Sequence, residues 1–283
     1  APGEVLIEVS ACGMNNTDVW VRQGAYGTEE DPAALSTWRR QGNTLTFPRI
    51  QGADTVGTIV AVGDGVSASR INERVMVDFS IYNRDDDSLA DIDYIGHGRD
   101  GGYAEYMTAP VENAHVVHTG MSDVELATFC CAYLTVRDIG AEAVIVRGAG
   151  DLVAQVGDAT AGKPIDVVAD LVAGPLFNDL LRVLRPEGRY TTAGAIAGPV
   201  VQLDLRTVYL KHLQLHGSSQ GTRGAFRRLL GYIEHGKIRA LVGGVYKLSD
   251  FHRAQTDFMG KTFVGKLIVV PDAKWDSVAR NSR

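Results

Sequence analysis

The stretch IDVVADLVAGPLFNDLLRVLRPEGRYTTAGA, residues 165–195, decides the fold class. It opens on a β-branched apolar run (IDVVAD, 165–170), continues with apolar residues at helical spacing (PLFNDLLRVL, 175–184) and returns to a β-type run (RYTTAGA, 189–195). Strand, helix and strand in that order spell a parallel βαβ unit. The flanks extend the alternation: AVIV (143–146) predicts a strand, DLVAQVGDAT (151–160) a helix, VYLKHLQLHGSS (208–219) a helix and strand, and AFRRLLGYIEHG (225–236) a helix. A doubly wound sheet follows, yet only about four of its usual six or so strands can be counted between Val136 and Ser219. Gly148-x-Gly150 follows the first of them, and Asp170 lies about twenty residues on, as a dinucleotide fingerprint asks. Val153 spoils the match, because that position needs Gly or Ala for close packing of helix on strand.

Upstream the text changes character. EVLIEVSACG (4–13), TVGTIVAVGDGV (55–66), RVMVDFSIY (74–82) and GGYAEYMTAP (101–110) are short β-type runs broken by glycine, which predicts a small antiparallel barrel or sandwich. At MSDVELATFCCAYL (121–134) a helix begins, with Ser122 as N-cap and Glu125 three residues on. The tail 247–271 ends in another strand, and the acidic NRDDDSLADID (83–93) reads as a solvated loop, since it lacks the spacing and glycine of a calcium loop.

The 283 residues are 45% hydrophobic and 22% charged, enough to bury a core in two domains. Lys and Arg total 28 against 34 Asp and Glu, and a net charge of -6 gives no basic footprint for nucleic acid or anionic lipid. No apolar run reaches the roughly 18 residues of a membrane span, and APGEVLIEVS lacks a signal-like basic start. The three cysteines, two of them adjacent at Cys130-Cys131, cannot form a disulfide framework. A soluble protein of the cytoplasm is expected.

Six pieces in order and spacing, residues 1–20, 47–66, 100–110, 165–195, 215–219 and 264–271, resemble the medium-chain dehydrogenase/reductase superfamily. The resemblance spans nearly the whole chain and implies a GroES-like β-barrel catalytic domain (1–120), a Rossmann cofactor-binding domain (121–245) and a return to the catalytic domain (246–283). It also implies a gap. At Thr135-Val136 the sequence passes from the helix before the Rossmann sheet straight to VRDIGAEAVIV, so part of the Rossmann domain, namely its first strand, glycine loop and second strand, is expected to be missing there.

In zinc-dependent members of that family the metal ligands sit in G-x-C-H-x-D and G-H-E patterns. Here the same stretches read Gly13-Met14-Asn15-Asn16-Thr17-Asp18 and Gly52-Ala53-Asp54. An amide at Asn15 and a methyl at Ala53 supply no useful zinc donor, and Cys131, at the third ligand position, is one thiol. No zinc is expected, and His97, His115 and His118 read as surface or core polar residues. The resemblance then points to the zinc-independent branch of quinone oxidoreductases and enoyl or alkenal reductases. It implies catalytic roles for Asn15 (amide donor), Thr17 (proton relay) and Asp18. Cofactor contacts are expected from Asn16, Thr135, Val172, Gly194, Ala195, Gly217, Ser218 and Ser219, the glycines and serines lying at the carboxyl ends of strands where open α/β sheets bind ligands. Lys266 is expected to reach the cofactor phosphates. The bland alternative for residues 15–18 is a helix cap and turn.

The leading expectation is an NADPH-dependent reductase of a quinone, enal or enone, a homodimer pairing through LKHLQLHGSS (210–219). NADPH rather than NADH comes from the resemblance alone. Three alternatives stand beside it. An enoyl-thioester reductase is suggested by Met14, Asn15, Trp20 and the insert between Tyr82 and Gly101. The others are a zinc-type alcohol dehydrogenase and a catalytically idle nucleotide-binding relative.

Overall fold

A computed structural model describes residues 1–27, 45–83, 92–130, 143–146, 148, 150–218 and 221–278. In chain order the strands are β1 (Glu4–Gly13), β2 (Asp54–Val62), β3 (Arg74–Val77), β4 (Ser80–Tyr82), β5 (Ile92–Tyr94), β6 (Tyr106–Pro110), β7 (Ala114–Val116), β8 (Ile165–Asp170), β9 (Leu184–Thr192), β10 (Gln214–Gly217), β11 (Val242–Lys247) and β12 (Lys266–Val270). The helices are α1 (Asn16–Arg22), α2 (Asp123–Leu126), α3 (Leu152–Ala159), α4 (Phe177–Val183), α5 (Leu205–Leu210), α6 (Arg223–Glu234), α7 (Phe251–Gly260) and α8 (Trp275–Val278). The chain divides into two compact units, Ala1–Val136 with Thr222–Arg283, and Arg137–Gly221.

In the first unit a seven-stranded sheet runs in the order β11-β12-β1-β2-β3-β7, with β6 also on β1. Strand β1 pairs with β2 along its length, with β6 over Glu4–Glu8 and with β12 at Cys12 and Gly13. Its burial records that change of neighbours. Val5, Ile7 and Val9 face inward while the intervening residues are partly exposed, the period of two of a one-sided strand. From Val9 onward every residue is buried, because Ala11 packs with Val56, Met76, Phe129 and Ile268 while Cys12 packs with Leu267, Ala254 and Phe258 of β12 and α7.

Helix α2 starts as read: Ser122 Oγ accepts from the Glu125 amide, and the Glu125 carboxylate accepts from the Ser122 amide at 2.7 Å. Helix α6 buries Phe226, Leu229, Leu230 and Ile233 against the same core as Phe129. Both helices therefore belong to the first compact unit, although the sequence-based boundaries at 120 and 245 put them with the Rossmann segment. Their apolar faces match the core of the barrel unit, which short-range pattern does not reveal.

The second unit holds a parallel three-stranded sheet, β10-β9-β8, with Phe177, Leu181, Leu184, Tyr190 and Val168 in its core. The βαβ reading of residues 165–195 holds. The strand expected at 143–146 is absent, and Val144 and Val146 are 87% and 67% exposed. A strand needs a neighbour to take its backbone hydrogen bonds, and none among the described residues pairs with this segment. Strand β8 likewise pairs with β9 on one edge only among the described residues. Asp170 does not await a ribose either: Oδ1 accepts from the amides of Val172 (2.8 Å) and Ala173 (2.9 Å), and Oδ2 from the Tyr190 hydroxyl (2.6 Å).

The barrel core should respond as a close-packed interior. Ile59 is fully buried beside Ile7, Val75 and Val77. Ile59→Ala is expected to lower the unfolding free energy by about 2–5 kcal/mol in urea titration, while Glu112→Ala at the surface stays within about 0.5 kcal/mol.

Candidate functional site

The turn that joins β1 to α1 is tied down from three sides. The Met14 amide donates to Leu267 O at 2.8 Å, and the amide of Asn15, the N-cap of α1, donates to Asp18 Oδ2 at 2.8 Å. Asp18 is buried, and the same Oδ2 accepts from the Tyr103 hydroxyl at 2.6 Å, while Gln51 Nε2 donates to the Asp18 carbonyl at 2.7 Å. Burial raises the Asp18 pKa to about 6, against the lowering effect of the bonds from Tyr103 and Asn15. Burial, with Asp18 alongside, also drives the Tyr103 phenol well above its ordinary value.

Lys266 enters the same place from the far end of the chain. As the first residue of β12 it lies just beyond the rungs that pair Gly13 with Ile268 and Cys12 with Val269. Its Nζ donates to Asn15 Oδ1 at 2.5 Å and to Asp54 Oδ2 at 2.6 Å. Neither charged side chain is more than 7% exposed, and Asp54 Oδ1 is buried without a hydrogen-bond partner. Asp54 stands opposite Gly13 in the β1–β2 register. Residue 13 must be glycine because a Cβ there would lie 2.2 Å from the carbonyl oxygen of Ala127, and it would also crowd Lys266 Cε at 2.9 Å.

The other expected site residues fall as follows. Asn16 Oδ1 accepts from Lys261 Nζ at 2.8 Å, and Thr17 is exposed on the first turn of α1. Thr135, Ser219 and Cys131 lie outside the described residues. In the second unit, Val172, Gly194, Ala195, Gly217 and Ser218 lie at the carboxyl ends of β8, β9 and β10. Gly194 is required by packing, since a Cβ would sit 2.6 Å from Leu171 O, whereas a Cβ on Gly217 would meet open space. The Ser218 amide donates to Thr192 O at 2.8 Å. His115 is partly buried against the Phe226 ring at 4.9 Å, and burial takes its pKa down to about 4. His118 is exposed, and His97 is buried near the Tyr26 and Tyr94 rings.

Comparison with known proteins agrees with this arrangement. The alcohol dehydrogenase GroES-like domain family matches residues 1–119, and the zinc-binding dehydrogenase family matches residues 139–269. A solved structure from Sinorhizobium meliloti 1021, described as a candidate alcohol dehydrogenase, is 66% identical, with a TM-score of 0.89 over 96% of this chain and 90% of its own. The chain belongs to the medium-chain dehydrogenase/reductase superfamily. Its two units are accordingly a GroES-like domain and a Rossmann-like domain, and the protein is an oxidoreductase of this type. A mouse quinone oxidoreductase is 26% identical over 94% of this chain and 89% of its own length. An NAD-dependent alcohol dehydrogenase of Sulfurisphaera tokodaii is 24% identical over 95% and 92%. These alignments run over 331 and 330 residues, longer than the 283-residue chain itself, so each opens a gap within it.

Membership raises the question of zinc. At the family's ligand positions this dehydrogenase/reductase presents the amide of Asn15 and the methyl of Ala53, and the neighbouring carboxylate of Asp54 holds an ammonium at 2.6 Å. A zinc ion there would face a like charge and, among the described residues, find neither thiolate nor imidazole donors. Among the described residues no three His, Cys, Asp or Glu side chains form a metal-binding group. These residues do not fit a zinc ion.

Sequence reasoning found Asn15 and Asp18 but missed Tyr103 and the pairing of Lys266 with Asp54. Gly13 beside a polar run was the available signal, since glycine at a strand end marks close approach of another group. The raised Asp18 pKa carries a stability consequence. Its folded value, about 6, exceeds the ordinary 3.8 of an aspartate, so the native state holds the proton more tightly. That stabilisation is complete below about pH 3.8 and is lost as pH rises through about 6. Relative to Asp18→Asn, the wild type should lose about 2 kcal/mol between pH 4 and pH 7 in urea titrations. A pH-independent difference between the two proteins would refute the assignment.

Proposed function

We propose that this protein is an NADPH-dependent reductase of quinones or of the C=C bond of enals and enones that works without zinc. The observation that carries the reading is the buried ammonium of Lys266, bonded to Asn15 and Asp54 where a metal-dependent relative would gather its ligands. The likeness to a quinone oxidoreductase over 94% of the chain supports the same class.

The cofactor of this oxidoreductase type is a pyridine nucleotide. The three parallel strands of the Rossmann-like unit fit one: the loops after β8, β9 and β10 offer Val172, Gly194, Ala195, Gly217 and Ser218 at their carboxyl ends, where such sheets hold nucleotides. Bound there, the nucleotide supplies a hydride. The gap opened by the alignments, and a β8 edge that no described strand takes, support a Rossmann domain whose first strand, glycine loop and second strand are missing between Thr135 and Val136.

The chain's own residues then act on the electrons that hydride addition displaces. When a hydride adds to the β-carbon of an enone, the C=C electron pair moves toward the carbonyl oxygen, and an N–H aimed at that oxygen lowers the barrier. Asn15 supplies that donor. Thr17, exposed beside it, delivers the proton that completes the reduction, with water as the alternative source. Asp18 acts indirectly, holding the Asn15 backbone through its 2.8 Å bond. The exposed β10 strand suits pairing with a second copy.

Oxidation of NADPH with a panel of quinones, short enals and crotonyl thioester tests the reading. Turnover with a quinone or enone should survive dialysis against a chelator with well under one zinc per chain. Stoichiometric zinc whose removal abolishes turnover would overturn it. Thr17→Val should lower kcat by about 10²-fold or more at an unchanged melting temperature. A variant that melts lower but turns over at the parent rate would return Thr17 to a capping role.

A further inference from the structure

We propose that Lys266 is the positioning residue of this site: anchored by Asp54, its ammonium turns the Asn15 amide so that it meets substrate as a hydrogen-bond donor, restricting the site to groups that offer an acceptor oxygen. This deepens the reductase reading and rests on it.

A lysine ammonium has three donors and no acceptor, so the amide atom facing it at 2.5 Å must be the oxygen. That orientation leaves the Nδ2 end of Asn15 for everything else. One of its hydrogens reaches Gly13 O at a long 3.4 Å, and no described residue takes the other. Without Lys266 the amide could turn end for end, presenting an acceptor as readily as a donor. With it, the site suits a carbonyl or quinone oxygen; an alcohol oxygen could accept the same bond, but the amide offers no acceptor for the proton it must lose to become an alkoxide.

Stability does not explain the arrangement. A buried ion pair repays its desolvation only with excellent geometry and full hydrogen bonding, and apolar replacements are often as stable. Here Asp54 Oδ1 is buried and finds no hydrogen-bond partner among the described residues. The second anchor matters as much as the first. The 2.6 Å bond to Asp54, itself fully buried at the start of β2, fixes where the ammonium stands and hence which way the amide faces.

Lys266→Met alone would strand the Asp54 charge, so the test uses Lys266→Met/Asp54→Asn, which removes both charges together. With the best quinone or enone, kcat should fall about 10- to 10²-fold while KM changes by less than about threefold. In an Asn15→Ala background the same pair of substitutions should change kcat by less than about threefold, because a residue acting through Asn15 has nothing left to orient. A second readout needs no turnover. The Asn15 side-chain amide resonances, identified by their loss in Asn15→Ala, should move and lose exchange protection in Lys266→Met/Asp54→Asn. Equal losses of kcat in both backgrounds, or unmoved amide resonances, would overturn the proposal. A wild-type protein that reduces none of the acceptors would instead refute the reductase reading, and the resonances would still decide the role of Lys266.

Discussion

Strand β1 is hydrogen-bonded along both edges, and the candidate site exists because of where its second partner changes. Over Glu4–Glu8 that partner is β6; at Cys12 and Gly13 it is β12, while β2 runs along the other side. The exchange brings residues from three distant parts of the chain to one strand end. Asn15 follows β1, Asp54 begins β2 and Lys266 begins β12. None of the three side chains could be placed without the register of the other strands, and a slip of one residue would turn each to the opposite face. Burial on both faces at Ala11 and Cys12 makes such a slip costly, since the apolar packing on two sides would be lost together.

Rigidity at this strand end has a second source in the turn itself. The Asp18 carboxylate holds the Asn15 amide and the Tyr103 hydroxyl, and Gln51 holds the Asp18 carbonyl. An exposed side-chain amide would sample several orientations. Here the backbone on which Asn15 stands is bonded before the side chain is considered, so the ammonium of Lys266 has only the two side-chain torsions to fix. Preorganisation of this kind is what a donor needs if it is to favour charge that develops during a reaction.

Much of this could be read from residues in order, and the limit falls where separation in sequence grows. The capping box of α2 was legible because Ser122 and Glu125 are three residues apart and cap locally. The βαβ segment at 165–195 was legible from its change of period, and residues 15–18 stood out as a polar run after an apolar strand. The AVIV run at 143–146 misled, because β-propensity describes a residue's own backbone and says nothing of whether a partner strand is present. Helix α6 is legible as a helix from its spacing, but that its apolar face packs with Phe129 and Ile268 is not, since an amphipathic face does not name what it covers. The bond between Lys266 and Asn15 joins residues 251 positions apart, and no spacing rule reaches that far.

The charges at this strand end explain why the Asp18 carboxyl holds its proton so tightly. Asp18 and Asp54 are both buried, and the Asp54 charge adds to the burial that raises the Asp18 pKa. One ammonium cannot serve both: Lys266 is committed to Asp54 at 2.6 Å, and Asp18 is left with two neutral donors, a phenol and a backbone amide. Hydrogen bonds from neutral donors offset only part of the desolvation of a carboxylate, so the Asp18 pKa settles near 6 instead of falling. Near neutral pH the site therefore holds one compensated ion pair and one carboxylate close to its protonation point. Any negative charge gathering on a substrate oxygen at Asn15 would arise beside that second carboxylate. Under the role proposed for Asn15, the Lys266 ammonium lies beyond the amide already paired with Asp54, so it orients the donor rather than neutralising the field.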